Sequence, residues 1–264
     1  MISLFPNSIV RAIRILMVAL CVLMLNAVML AQAPAPAGEE TLTGEAVISK
    51  YIAAVGGQEK LDKIQNRYMK ASMDIPSAGI KLAIELYLTR AGKMYTVASA
   101  EALGKMESGS DGAVFWENSL VGGPRIIEGP ELAESKRDAT LDLYSSWQKY
   151  FDKVEFAGVD TVGGQRYKVV MTPKEGNPQT LFFDAQTGLI TKVEAVLQHQ
   201  MGNVPLVTTL DDYREVEGIK LPFQTKITVM GQERTLVVEE IKHNIEMPDS
   251  LFVIPTEVQA LMKK

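Results

Sequence analysis

The chain has 264 residues, 47 % of them hydrophobic but only 7 % aromatic, with 13 Met and a single Cys. That is enough apolar material for one all-β domain or two small ones of roughly 230 residues once an export segment is removed. The 27 basic and 32 acidic side chains leave a net charge of −5; this acidity repels phosphate backbones and argues against nucleic acid as a partner.

Arg11 and Arg14 precede an apolar run from Ile15 to Leu30, closed by Ala31-Gln32-Ala33. A basic start, an apolar middle and a small-x-small exit form the pattern of a secretory signal peptide, expected over residues 1–33. Asn26 interrupts the run, and Ala35-Pro36-Ala37 offers a second exit. An uncleaved membrane anchor is the rival reading, since the run approaches the length of a spanning helix. Cys21 lies inside this run behind the large Leu20, which argues against lipidation there. A chain cleaved after it has no cysteine, so it tolerates an oxidising compartment without using a disulfide.

Residues 34–44 are rich in Pro, Gly and charge and read as a flexible linker. Thr43 is placed to cap a helix whose apolar stripe is Ala46, Val47, Ile48, Tyr51, Ile52 and Val55, stopped by Gly56-Gly57. A further helical turn is expected over Glu59–Ile64. Alternation then takes over. Ile80, Leu82, Ile84, Leu86 and Leu88 share one face of a strand, and Arg90-Ala91-Gly92-Lys93 turns it into Met94-Tyr95-Thr96-Val97. Another strand is expected around Ala113–Glu117. Between Pro130 and Phe151 the period changes: Leu132, Lys136, Ala139, Leu143, Trp147 and Tyr150 predict one amphipathic helix of about five turns. From Val154 onward strands are expected at 154–160, 166–172, 179–184, 189–200, 204–215, 222–230 and 233–242. Short Gly- and Asn-rich turns join them into an antiparallel meander. The end, 256–264, reads as a short helix or a frayed tail.

Catalytic chemistry is not expected. His199 and His243 lack any zinc-ligand spacing and read as surface strand residues. Ser108-Gly109-Ser110-Asp111-Gly112 matches a polar hairpin turn rather than a nucleophile elbow. The acid pairs Asp211-Asp212 and Glu239-Glu240 fall in strand patterns, where neighbours point to opposite faces and meet solvent. No metal and no cofactor are expected. The positive signal is apolar: one-sided aliphatic strands, a helix carrying Trp147, and plentiful Met, an adaptable side chain. Periodicity leaves open whether these line a cavity or fill a core. The cavity-wall candidates are Leu82, Ile84, Leu86 and Leu88, Phe223, Ile227 and Val229, and Leu143 with Trp147, the indole being expected to close the open side as part of a lid.

Three stretches stand in a familiar order. Tyr51-Ile52-Ala53-Ala54-Val55-Gly56-Gly57 leads through Leu61 and Ile64 into the first strand. Phe183-Asp184-Ala185-Gln186-Thr187-Gly188-Leu189 forms a hairpin. Asp212-Tyr213-Arg214-Glu215-Val216-Glu217-Gly218-Ile219-Lys220-Leu221-Pro222 precedes Ile241-Lys242-His243-Asn244 and Pro248-Asp249-Ser250-Leu251-Phe252. Over residues 45–255 this resembles the outer-membrane lipoprotein-sorting (LolA/LolB-like) superfamily, in its divergent periplasmic members. The resemblance implies a mainly β fold with a few helices: an incomplete antiparallel β-barrel closed by helices over an apolar cavity for acyl chains. No position matches the family's functional arginine, so none is assigned. The expected function is a periplasmic carrier of lipid or lipoprotein acyl chains. The alternative is an envelope sensor that binds a protein partner with the same half-barrel. Membrane contact is expected to be transient or to run through an uncleaved N-terminal segment.

Overall fold

The computed structural model describes residues 42–120, 122–199 and 202–262. The expected signal segment, Cys21 and nearly all of the linker lie outside the described residues. Leu42–Lys264 forms one compact unit.

The first helix, α1, spans Gly44–Ala54, and the Thr43 hydroxyl accepts from the Ala46 amide at 3.1 Å, as its sequence position demands. Val47, Ile48 and Val55 are buried, whereas Ala46 faces solvent and Gly44 takes the inward place. A Cβ on Gly44 would lie 2.8 Å from the Val154 carbonyl oxygen, so only glycine allows the helix to start flush against that strand. Gly56 and Gly57 have φ of +137° and +89° and end the helix; a Cβ on Gly56 would stand 2.5 Å from the Gly218 carbonyl oxygen. α2 follows at Gln58–Lys63.

The body is one antiparallel sheet of thirteen strands among the described residues. They are β1 (Asn66–Ile75), β2 (Ile80–Thr89), β3 (Met94–Ala100), β4 (Gly104–Ser110), β5 (Phe115–Ser119), β6 (Gly123–Ile126), β7 (Phe151–Asp160), β8 (Arg166–Pro173), β9 (Gln179–Asp184), β10 (Ile190–His199), β11 (Gly202–Val216), β12 (Ile219–Val229) and β13 (Gln232–His243). Their order is β6-β5-β4-β3-β2-β1-β13-β12-β11-β10-β9-β8-β7. Two meanders therefore meet where β1 pairs with β13, and β6 and β7 end the sheet without closing it. The expected mainly β, incomplete barrel with a few helices is what is found.

The hairpins explain the sequence motifs. Asp184 Oδ1 accepts from the amides of Gln186 and Thr187 and from the Thr187 hydroxyl, while Gly188 takes φ of +75°. These donors hold the Asp184 carboxyl below its ordinary pKa, the Thr187 amide most of all. The motif is turn chemistry. Asn244, at φ of +52°, joins β13 to the start of β1: its Oδ1 accepts from the Gln65 amide at 2.6 Å.

Four expectations need correction. Residues 130–151 do not form one helix. α3 spans Pro130–Asp138, and a 3-10 segment spans Leu143–Lys149. The Leu141 carbonyl, which a continuous helix would offer to the Ser145 amide, accepts instead from Arg67 Nη1 at 3.1 Å, and Ser145 turns to the Asp142 carbonyl. Ser108–Ser110 belong to β4 rather than to a turn. Ser110 is fully buried, and only Asp111-Gly112 begins the hairpin, with Asp111 Oδ1 accepting from the amides of Ala113 and Val114. His243 is buried, not on the surface. Glu239 and Glu240 do not simply alternate: a bulge opposite Lys70 and Ala71 brings Lys70, opposite Glu240, onto Glu239 at 3.0 Å. The last residues form α4, Thr256–Met262.

Candidate functional site

Register lines up one face of the sheet in rows. The first row is Arg67, Leu88, Met94, Ser110 and Phe115 across β1 to β5. The next is Met69, Leu86, Thr96, Ser108, Glu117 and Arg125, and a third is Ala71, Ile84, Ala98, Met106, Ser119 and Gly123. Because side chains alternate along a strand, these rows share the inner face.

Three apolar clusters cover most of that face. The first joins Val47 and Ile48 of α1 to Phe151, Val169, Met171, Leu181, Phe183 and Ile190 on β7 to β10, each at most 2 % exposed. Tyr51, Leu143, Tyr144, Trp147 and Tyr150 pack on it. The second joins Val55, Leu61, Ile64, Leu88, Leu141 and Ile219 under α1 and α2. The third holds Ala71, Leu82, Ile84, Phe223 and Val238, with Met69, Met73, Ala98, Met106 and Leu236 around it. Among the described residues no helical residue belongs to this third cluster; its five central side chains are buried, and Met69, Met73, Ala98 and Met106 around them are half-buried. The Arg214 guanidinium stacks over the Phe223 ring at 4.6 Å.

The nine wall candidates are therefore divided. Leu82, Ile84 and Phe223 sit together in the third cluster, Leu86 and Leu88 at the second, and Leu143 and Trp147 against the first. Ile227 and Val229 are half-buried and join none of them. Trp147 is half-buried on the 3-10 segment. An open cleft of about 610 Å³ lies beside α4, lined by Lys93, Asp111, Asp249, Phe252 and Gln259, and the spaces under α1 to α3 are small. One of about 210 Å³ is lined by Tyr51, Leu61, Arg67, Leu143 and Tyr144, and another of about 290 Å³ by Arg90, Phe115, Lys136 and Tyr150. Both lie below the usual volume of a site for a drug-sized ligand.

What holds the helices down is a polar clasp invisible to hydrophobic patterning. Asp142, in the joint between α3 and the 3-10 segment, has a side chain 6 % exposed and receives Arg67 at 3.4 Å and Arg90 at 3.0 Å. Arg90 also donates to the carbonyls of Ile64 and Leu61 at the end of α2. Arg67 Nε donates to His243 Nε2 at 3.0 Å, so that ring nitrogen carries no proton. Burial, then the Arg67 charge, lowers the His243 pKa, whereas Glu217, 3.6 Å from Nδ1, works against them. Burial also lowers Arg67, Asp142 opposing it, and pushes Tyr51 up to about 12. Sequence reading missed Arg67, Arg90, Asp142 and His243 as a group, because β1, the β2–β3 turn, the helical joint and the end of β13 meet only in three dimensions. His199 ends β10, and its side chain lies outside the described residues. Among the described residues no group of His, Cys, Asp or Glu is arranged to hold a metal, and no helix is long and apolar enough to cross a membrane.

The fold has counterparts among solved structures. A DUF1329 family protein from Desulfovibrio piger aligns with a TM-score of 0.56 at 15 % identity, over 79 % of this chain and 96 % of that one. A LolA superfamily protein from Nitrosomonas europaea aligns at 0.55 and 10 % identity, over 81 % and 98 %. A domain described as an outer membrane lipoprotein-sorting protein, from Vibrio parahaemolyticus, aligns at 0.53 and 9 % identity, over 84 % and 100 %. The chain has the LolA-like fold. No protein-family model matches it, and no curated protein sequence does either.

Proposed function

We propose that the protein is a non-catalytic carrier of lipid or lipoprotein acyl chains in the bacterial cell envelope, reached through its N-terminal export signal. The observation that carries the reading is the third cluster: among the described residues no helix packs on it, and around its buried centre Met69, Met73, Ala98 and Met106 form a half-buried, Met-rich margin on the inner face. An acyl chain laid on this surface removes apolar area from water, worth about 25 cal/mol per Å². Met69, Met73 and Met106 suit chains of differing length, because the unbranched thioether repacks at little cost. The clasp at Asp142 ties the joint between α3 and the 3-10 segment to β1 and the β2–β3 turn through charged groups, while α1 and α2 stay anchored in the first two clusters. The fold shared with lipoprotein-sorting proteins supports the same reading.

Native mass spectrometry of the protein purified from the envelope fraction tests it. A co-purifying lipid or lipopeptide is expected. An empty protein held in a stable complex with another envelope protein would replace the carrier by a sensor that uses the same half-barrel.

A further inference from the structure

The inner rows change character as they run outward. Met69 and Leu86 are followed by Thr96, Ser108, Glu117 and Arg125, one residue from each successive strand. At that wing lies a pocket of about 290 Å³, lined by Thr96, Ser108, Ser119, Glu117 and Arg125 over a floor of Ala98 and Met106. Ala98 and Met106 also pack against the third apolar cluster, so the polar pocket and the uncovered apolar surface share a floor. Both Arg125 contacts to Glu117, from Nε and Nη2, fall on Oε2 at 2.8 Å, and Nη1 meets Glu131 of α3 at 2.6 Å. The guanidinium charge is thus matched by two carboxylates, and the cluster carries an excess negative charge. Glu117 is 45 % and Arg125 38 % exposed, open enough for a ligand to reach.

We propose that this wing is the headgroup site of the carrier, and that it takes the ammonium group of an amphiphile whose acyl chains lie on the third cluster. The inference rests on the carrier reading. Oε1 of Glu117 is the acceptor for the ammonium, and the hydroxyls of Thr96, Ser108 and Ser119 accept or donate to the polar atoms beside it. An anionic head without an amine meets the excess negative charge and is disfavoured. The ammonium can belong to a phospholipid or to the free N-terminus of a diacylated lipopeptide.

The test measures the affinity of the exported chain for four probes with matched acyl chains. They are phosphatidylethanolamine, its N-acetylated derivative, phosphatidylglycerol and a diacyl lipopeptide with a free amine. At least one free-amine probe is expected to bind about tenfold tighter than phosphatidylglycerol, the size of one charge-assisted hydrogen bond. N-acetylation should remove the advantage, and the tighter free-amine probe names the source. Glu117→Gln should abolish the preference, weakening the free-amine probes and relieving the repulsion on phosphatidylglycerol. Ser108→Leu, which extends the apolar row into the pocket, should abolish it too without disturbing the ion pairs. Equal binding of all heads, or a preference that survives both substitutions, overturns the headgroup site and leaves a solvated sheet edge. Failure of every probe to bind overturns the carrier reading together with it.

Discussion

The edge and the middle of the inner face are built from the same alternation and finished differently. On β7 to β10, α1 lies across the strands and the central residues are at most 2 % exposed. On β1, β2, β12 and β13 no helix among the described residues lies across, and Leu82, Ile84, Phe223 and Val238 are buried by the sheet's own side chains. The surrounding side chains differ as well. Tyr51, Tyr144, Trp147, Tyr150 and Tyr167 ring the first cluster, large rigid rings that fill space and need their hydroxyls placed. Among the described residues no aromatic ring surrounds the third: Met69, Met73, Met106, Ala98 and Ala100 stand beside aliphatics such as Ile75, Ile80, Leu103 and Leu236. The edge region is locked under a helix, and the proposed carrier role falls to the middle region.

Substitutions at matched phenylalanines should separate the two regions most clearly. Phe183→Ala, in the covered cluster, is expected to cost about 3–5 kcal/mol through lost burial and a void that cannot collapse. Phe223→Ala, in the third cluster, should cost about 1 kcal/mol less, because the ring is capped by the exposed, flexible Arg214 side chain, which can settle into the space left. Urea denaturation measures both, and equal losses would erase the distinction.

Asp142→Ala sharpens the comparison at the attachment of the helices. Removing one partner of a buried ion pair costs about 3–5 kcal/mol in favourable cases, and Arg90, a third exposed, takes part of that loss from water. About 2–3 kcal/mol is expected. Hydrogen exchange should quicken across residues 139–149 while the β8 and β9 amides stay protected. Uniform loss of protection would make the clasp part of the core rather than a latch.

Trp147→Ala should cost about 1–2 kcal/mol, below the full value for a buried indole, since Trp147 is half-buried. It should also weaken binding of a fluorescent fatty acid. A Trp116→Phe background isolates the Trp147 emission, because Trp116 is fully buried beneath its own neighbours.

The smallest effect is one of pH. His243 is neutral in the folded protein and its pKa is lowered from 6.5, first by burial and then by Arg67. The unfolded chain therefore takes up a proton at a higher pH than the folded one does. Stability from this group is complete above pH 6.5 and declines as the pH falls through that value toward the lowered folded pKa. His243→Gln should flatten this part of the stability profile, and an unchanged slope would mean that His243 titrates as if exposed.

The C-terminal meander was legible because β-branched and aromatic residues recur in short runs there and Gly- and Asn-rich turns punctuate them. Thr43 and Asp184 were legible because capping and Asx turns depend on neighbours within a few residues. β4 and β6 were not. The first reads Gly-Lys-Met-Glu-Ser-Gly-Ser and the second is four residues long, so neither carries the branched or aromatic residues that mark strands. Gly109 within β4 is required by contact, not by a turn: a Cβ there would stand 2.7 Å from the Trp116 ring. The break after α3 depends on Arg67, some seventy residues upstream, and so does the burial of His243, 176 residues from that arginine. The wall candidates were chosen for sharing a strand face, which alternation supplies; their division among three clusters depends on where the helices lie.

The central claim is that the third cluster contacts acyl chains. The single Cys21 lies in the expected export segment, so the exported chain accepts one engineered cysteine without competition. Ala98→Cys places a fluorescent label at the third cluster on the inner face, and Ser99→Cys places the same label one residue away on the outer face. A brominated fatty acid should quench the label at position 98 in a saturable manner and leave the label at position 99 unaffected. Equal quenching at both positions, or none at 98, would contradict the account.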